Sequence, residues 1–130
     1  MRILIILSSD AESSAGLIEA YYLFRDAGMD VVVSAIGGGS ASPPAATISS
    51  EVSQRFKSDR DARDVMNDLV DLGSVCADDF DAAIWFGAGT ELRAGALVKR
   101  LLAAAKPVAV IAPANAPAPA AQALLAALGR

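Results

Sequence analysis

Four short apolar runs punctuate the chain: RILIIL at 2–7, DVVVSAI at 30–36, DAAIWF at 81–86 and VAVI at 108–111. Each is near-continuous, as in a parallel strand covered on both faces, rather than alternating, as in a strand with one wet face. Segments of helical periodicity lie between them. Strands alternating with helices imply a parallel sheet with helices on both sides, joined by right-handed crossovers. The expectation is an α/β protein: a flavodoxin-like doubly wound three-layer sandwich with a four-stranded, mostly parallel sheet in the order 2-1-3-4. A chain of 130 residues suits one such domain, spanning 1–130.

The helical segments have readable ends. Leu17, Ala20, Tyr21, Phe24 and Ala27 form one apolar face, and Gly28 stands where a glycine ends a helix. Gly37, Gly38 and Gly39 open a long loop that reaches to about Glu51. Asp59 to Leu72 reads as helix, with Ala62, Val65, Met66 and Leu69 inward and Gly73 as its stop. Glu91 to Ala105 reads as another, with Leu92, Ala96, Leu101, Leu102 and Ala105 among its buried positions. Pro107 breaks it, and Ala120 to Leu128 forms a short terminal helix.

Composition narrows the chemistry. Apolar residues make up 54% of the chain, which supports a packed core. Net charge is −4 with no basic cluster, so a nucleic-acid surface is not expected. No apolar run has the length of a membrane span or of a signal peptide's apolar region, and a cytoplasmic protein is expected. Cys76 is the one cysteine and there is no histidine. An internal disulfide is therefore impossible. Zinc and transition-metal sites lose their usual ligands, and a nucleophile would lack its usual base. No cofactor is implied.

Several pieces, taken in order, resemble the ThiJ/PfpI superfamily, also called class I glutamine amidotransferase-like: ILIILSS, AYYLFRDAGMDVVVSAIGGG, RDVMNDLVDLGSVCADDFDAAIWFGAG and KPVAVI. The resemblance covers nearly the whole chain, and is nearest to the bacterial chaperone-like or glyoxalase-like branch. It stops about where a family member continues into further strands and helices, so a truncated member is expected. The family places a cysteine after KPVA-apolar-apolar, usually followed by His-Gly. Carried onto this sequence, the cysteine position is Ala112, the histidine position Pro113 and the glycine position Ala114. The family's acidic partner, in the first helix, falls on Gly16. The turn that supplies backbone N–H groups corresponds to Gly87, Ala88 and Gly89. The resemblance thus implies the scaffold without its nucleophile, histidine or acid. Ser8, Gly16, Gly87, Ala88, Ala112, Pro113 and Asn115 are expected around a vestigial pocket at the strand ends.

Other constellations have plainer readings. Cys76 lies beside Asp78 and Asp79, with no cation close in sequence to activate it, and reads as inert. Glu19, three residues from Gly16, could salvage the acid but reads as a solvated helix residue. Gly37-Gly38-Gly39-Ser40 lacks dinucleotide-binding spacing and reads as a loop. Gly87, Ala88, Gly89 and Thr90, between a strand end and a helix start, are placed for an anion, or are a structural turn. Asp10 would need an acid ending the third strand to make a receiver-type magnesium site, and that strand ends in Trp85-Phe86. SDRDARD and ADDFD read as solvated faces and caps.

The functional expectation is a non-catalytic ThiJ/PfpI-like domain working by binding or assembly. The alternative is a remnant glyoxalase- or hydrolase-type enzyme, or a chaperone, with a non-standard site. The fourth strand is an apolar edge, and AAQALLAAL is apolar over most of its circumference. A homodimer through the strand-four edge and the C-terminal helix is expected, with no nucleic acid and no membrane.

Overall fold

The computed structural model describes residues 1–7, 17–35, 54–56, 58–86, 92–111 and 118–129. The strands are β1 (Arg2–Leu7), β2 (Asp30–Ala35), β3 (Val70–Asp71), β4 (Ala82–Phe86) and β5 (Val108–Ile111). The helices are α1 (Leu17–Asp26), α2 (Arg60–Asn67), α3 (Leu92–Ala103) and α4 (Ala118–Ala127). All described strand pairs are parallel, and the sheet order is β3-β2-β1-β4-β5.

β1 sits at the centre and is buried on both faces, which accounts for its lack of alternation. Ile3, Ile5 and Leu7 point into one core with Phe24 of α1, Ala62 and Met66 of α2, and Ala121 and Leu124 of α4. Leu4 and Ile6 point into the other, with Trp85, Leu97, Leu101 and Phe80. The result is three layers, with α1, α2 and α4 on one side of the sheet and α3 on the other. Ser34 is the buried polar side chain of the core, and its hydroxyl donates to the Ile5 carbonyl at 3.1 Å.

The expected sheet of four strands in the order 2-1-3-4 is corrected to five. The helix expected over Asp59 to Leu72 spans Arg60–Asn67, with Asp59 as its N-cap. Asp68 leaves helical geometry at φ −138° and ψ 76°, and Val70–Asp71 then pairs with Ser34 and Ala35. A 3-10 turn follows at Leu72–Ser74. Leu69 is still buried, so the helical periodicity continued into residues that are not helical. A two-residue strand has no period of its own to read.

α3 and α4 also shift. α3 stops at Ala103, and Ala96, Leu102 and Ala105 are exposed, not buried; Leu102 is 56% exposed. The buried pair Leu97 and Leu101 marks the true inner side. α4 starts at Ala118, two residues early, and buries Ala121 and Leu124. The Gly28 stop is as read: φ is 81°, Gly28 N–H donates to Arg25 O, and Met29 N–H to Phe24 O. That pair of bonds is a Schellman ending, closed by burial of both Phe24 and Met29. Among the described residues no helix is long and apolar enough to cross a membrane.

Candidate functional site

From β1 the chain moves to β2 and β3 on one side, then crosses to β4 and β5 on the other. That reversal is a topological switch point, and in open α/β sheets ligands bind outside the carboxyl ends of the strands there. β1, β4 and β5 end level. Leu7 is the register partner of Phe86, and Phe86 of Ile111. Those three side chains are buried at this end of the sheet. They immediately precede Ser8, Gly87 and Ala112 in sequence. The structure therefore brings the carboxyl ends of these three strands onto one rim.

Ser8, Gly16, Gly87, Ala88, Gly89, Thr90, Ala112, Pro113, Ala114 and Asn115 lie outside the described residues, as do Asp10 and the Gly37–Ser40 run.

The remaining candidates are visible. Glu19 is exposed in the first turn of α1, where its charge suits the helix dipole. Cys76 is exposed and caps the 3-10 turn Ala77–Asp79 without a side-chain bond. It borders an open cavity of about 360 Å³ lined also by Ala77, Asp78, Arg100, Ala103 and Ala104. That cavity lies at the opposite end of the sheet. Lys106, just before β5, donates to the Ala77 carbonyl, and Asp81, just before β4, exchanges two hydrogen bonds with Arg2. Among the described residues no group of three or more His, Cys, Asp or Glu side chains is placed to hold a metal.

One polar cluster had no sequence signal. The Tyr22 hydroxyl donates to Asp59 Oδ2 at 3.0 Å, across 37 residues of chain. Asp59 Oδ1 accepts from Ala62 N–H and so caps α2. The Arg55 guanidinium lies 3.9 Å from the Tyr22 ring centroid and pairs with both oxygens of Asp26 at 2.8 and 2.9 Å. Burial first, then the bond to Asp59, pushes the Tyr22 phenol well above its ordinary range. The Ala62 N–H, with help from Tyr22 and Arg55, lowers the Asp59 carboxyl; Arg55 lowers that of Asp26. These groups hold α2 to α1. They form a clamp among α1, Arg55 and the start of α2.

No protein-family model matches the chain, and no curated protein matches it. Solved structures do. Rapid Encystment Protein 24 KDa (REP24) of Francisella tularensis superposes with a TM-score of 0.68 at 17% identity, over 85% of this chain and 58% of that one. DJ-1beta of Drosophila melanogaster superposes with a TM-score of 0.57 at 24% identity, over 98% of this chain and 60% of that one. The fold is theirs. The likeness is one of fold, and a shared fold is what the resemblance carried by the sequence pieces leads one to expect. This chain spans about three fifths of the length of those two chains.

Proposed function

We propose that this chain is a degenerate ThiJ/PfpI domain that works by binding or assembly and does not turn over a substrate. The observation that carries the reading is the sequence following β5. Ile111 ends the strand on the rim, and the next residues are Ala112, Pro113 and Ala114, where the family has cysteine, histidine and glycine. Alanine has no nucleophilic atom, and proline has neither a base nor an N–H for an oxyanion. No histidine elsewhere can substitute. Cys76 gives no ready replacement, because it opens at the far end of the sheet from the β1–β4 switch point.

The test is an activity survey on purified, folded protein. Methylglyoxal conversion, amidase and peptidase rates are expected at the level of a heat-denatured control. Turnover that survives Cys76→Ser would overturn the non-catalytic reading. Turnover abolished by Cys76→Ser would move the chemistry to the Cys76 cavity and favour the remnant-enzyme alternative.

A further inference from the structure

A second concave site lies at the amino ends of the strands, away from the switch point. Its volume of about 360 Å³ falls within the range of roughly 300–1,000 Å³ usual for small-molecule pockets. Cys76, Ala77 and Asp78 supply one part of its lining, and the end of α3 supplies the other, with Arg100, Ala103 and Ala104. The turn that carries Cys76 and Asp78 is held in place. The Ala77 side chain is buried in the same core as Leu97 and Leu101. The Ala77 carbonyl accepts from Lys106 Nζ at 2.9 Å and from Phe80 N–H at 3.3 Å. Asp79 N–H donates to the Cys76 carbonyl at 3.1 Å.

Three chemistries meet in this cavity. The Cys76 thiol is exposed and makes no cap bond. Asp78 brings a carboxylate, and Arg100 brings a guanidinium. Among the described residues neither charge has an ion-pair partner, and the two are not paired with each other. The neighbours of Cys76 in sequence are acidic, so the cation reaches it only because α3 packs against the turn. Opposite charges that line one cavity without meeting are complementary to a ligand that carries both signs itself. A carboxylate on that ligand takes the Arg100 fork, and an ammonium takes Asp78. The last carbonyls of α3 lack partners within the helix, and they add negative potential for the ammonium.

We propose that this cavity is a modification site, where Cys76 exchanges with a small disulfide bearing an α-amino-acid group, of which cystine is the simplest. The Cys76 thiolate attacks one sulfur of the incoming disulfide. A new S–S bond forms to Cys76, the old S–S bond breaks, and its electron pair leaves with the other half as a thiolate. The Cys76 proton goes to solvent. The incoming disulfide is itself the oxidant: Cys76 is oxidised, and half of the disulfide is reduced to a free thiol. Arg100 and Asp78 are positioning residues, which hold the α-carboxylate and α-ammonium while the sulfurs react. The reaction is stoichiometric, goes beyond the binding-or-assembly reading and does not depend on it.

The test is the rate of adduct formation on the full chain, followed by intact mass. Cys76 is the one cysteine, so the mass shift needs no mapping. Three alkyl disulfides are compared: zwitterionic cystine, the dication cystamine and the dianion dithiodipropionate. Each rate is divided by that for the urea-unfolded chain, which cancels the disulfide's own reactivity. Cystine is expected to give the highest ratio, by about threefold, the scale of solvent-exposed ion contacts. Arg100→Gln should bring cystine down to the level of cystamine. Asp78→Asn should bring it down to the level of dithiodipropionate, and far-UV circular dichroism should be unchanged in both. If Asp78→Asn fails to fold, Arg100→Gln decides. Equal ratios for the three disulfides, or a cystine preference that survives substitution in the folded variants, overturns the proposal.

Discussion

Three helices leave their last turn through a left-handed residue: Gly28 after α1, Ala105 after α3 and Gly129 after α4, with φ of 81°, 59° and 78°. Ala105 alone of these carries a Cβ, which crowds its carbonyl in that conformation. The bonding is the Schellman pattern again, with Ala105 N–H donating to Leu102 O and Lys106 N–H to Leu101 O. Ala105 is exposed, so removing its methyl empties no core. Ala105→Gly should therefore raise stability by about 1 kcal/mol, read as a higher urea midpoint with unchanged slope. A lower midpoint would show that the gain in unfolded-state freedom outweighs the relieved strain. The sequence made Gly28 easy to read because glycine announces a positive φ. Ala105 makes no such announcement, and helical spacing alone predicts a buried helical residue there. Its conformation is set by the need to turn Lys106 and Pro107 into β5.

Between elements, the Tyr22–Asp59–Arg55–Asp26 clamp makes stability depend on pH at both ends. Asp26 and Asp59 have lowered folded pKa values, so their contribution is present above the ordinary carboxylate pKa of about 4 and is lost as pH falls through the folded values. Tyr22 has a raised pKa, so its contribution is present below the ordinary phenol pKa of about 10 and fades as pH climbs above it. Tyr22→Phe should cost about 1 kcal/mol at neutral pH and shrink the alkaline loss. Tyr21, which burial also raises, contributes to the remainder. Urea midpoints across pH measure both effects, and an unaltered alkaline limb in the variant would exclude Tyr22 as its source. That Asp59 belongs to a run able to supply helix caps was legible, although the residue itself read as the first of the helix. Its bond to Tyr22 was not, since nothing in the sequence couples residues 37 apart on different elements. β1 and β4 were legible for the opposite reason: burial on both faces writes itself into each run directly. The rim of the candidate site is read from strand ends, whereas the site roles of its turns rest mainly on family resemblance.

At the scale of the molecule, β1 is shared by two cores. Met66→Ala on the α2 side and Leu101→Ala on the α3 side should each cost about 2–5 kcal/mol, from lost transfer energy and the cavity left behind. A domain of this size has only about 5–15 kcal/mol to lose. Because Ile3, Ile5 and Leu7 serve one core and Leu4 and Ile6 the other, neither core can melt alone. Trp85 fluorescence reports the α3 side and far-UV circular dichroism reports the whole. Their urea transitions should coincide in both variants. Separate transitions in Met66→Ala would mean that the sheet faces are independent.

The same central position has a consequence for how the chain is made. A ribosome delivers β1 first and β2 soon after, and their six-residue register can zip early. The other side of β1 waits for β4, which begins at Ala82. Until then the strand that ends up most deeply enclosed is an open margin of Ile and Leu, offered to any neighbouring nascent chain. Completion of the sheet is a late, long-range event, and the cell must shelter β1 through that interval.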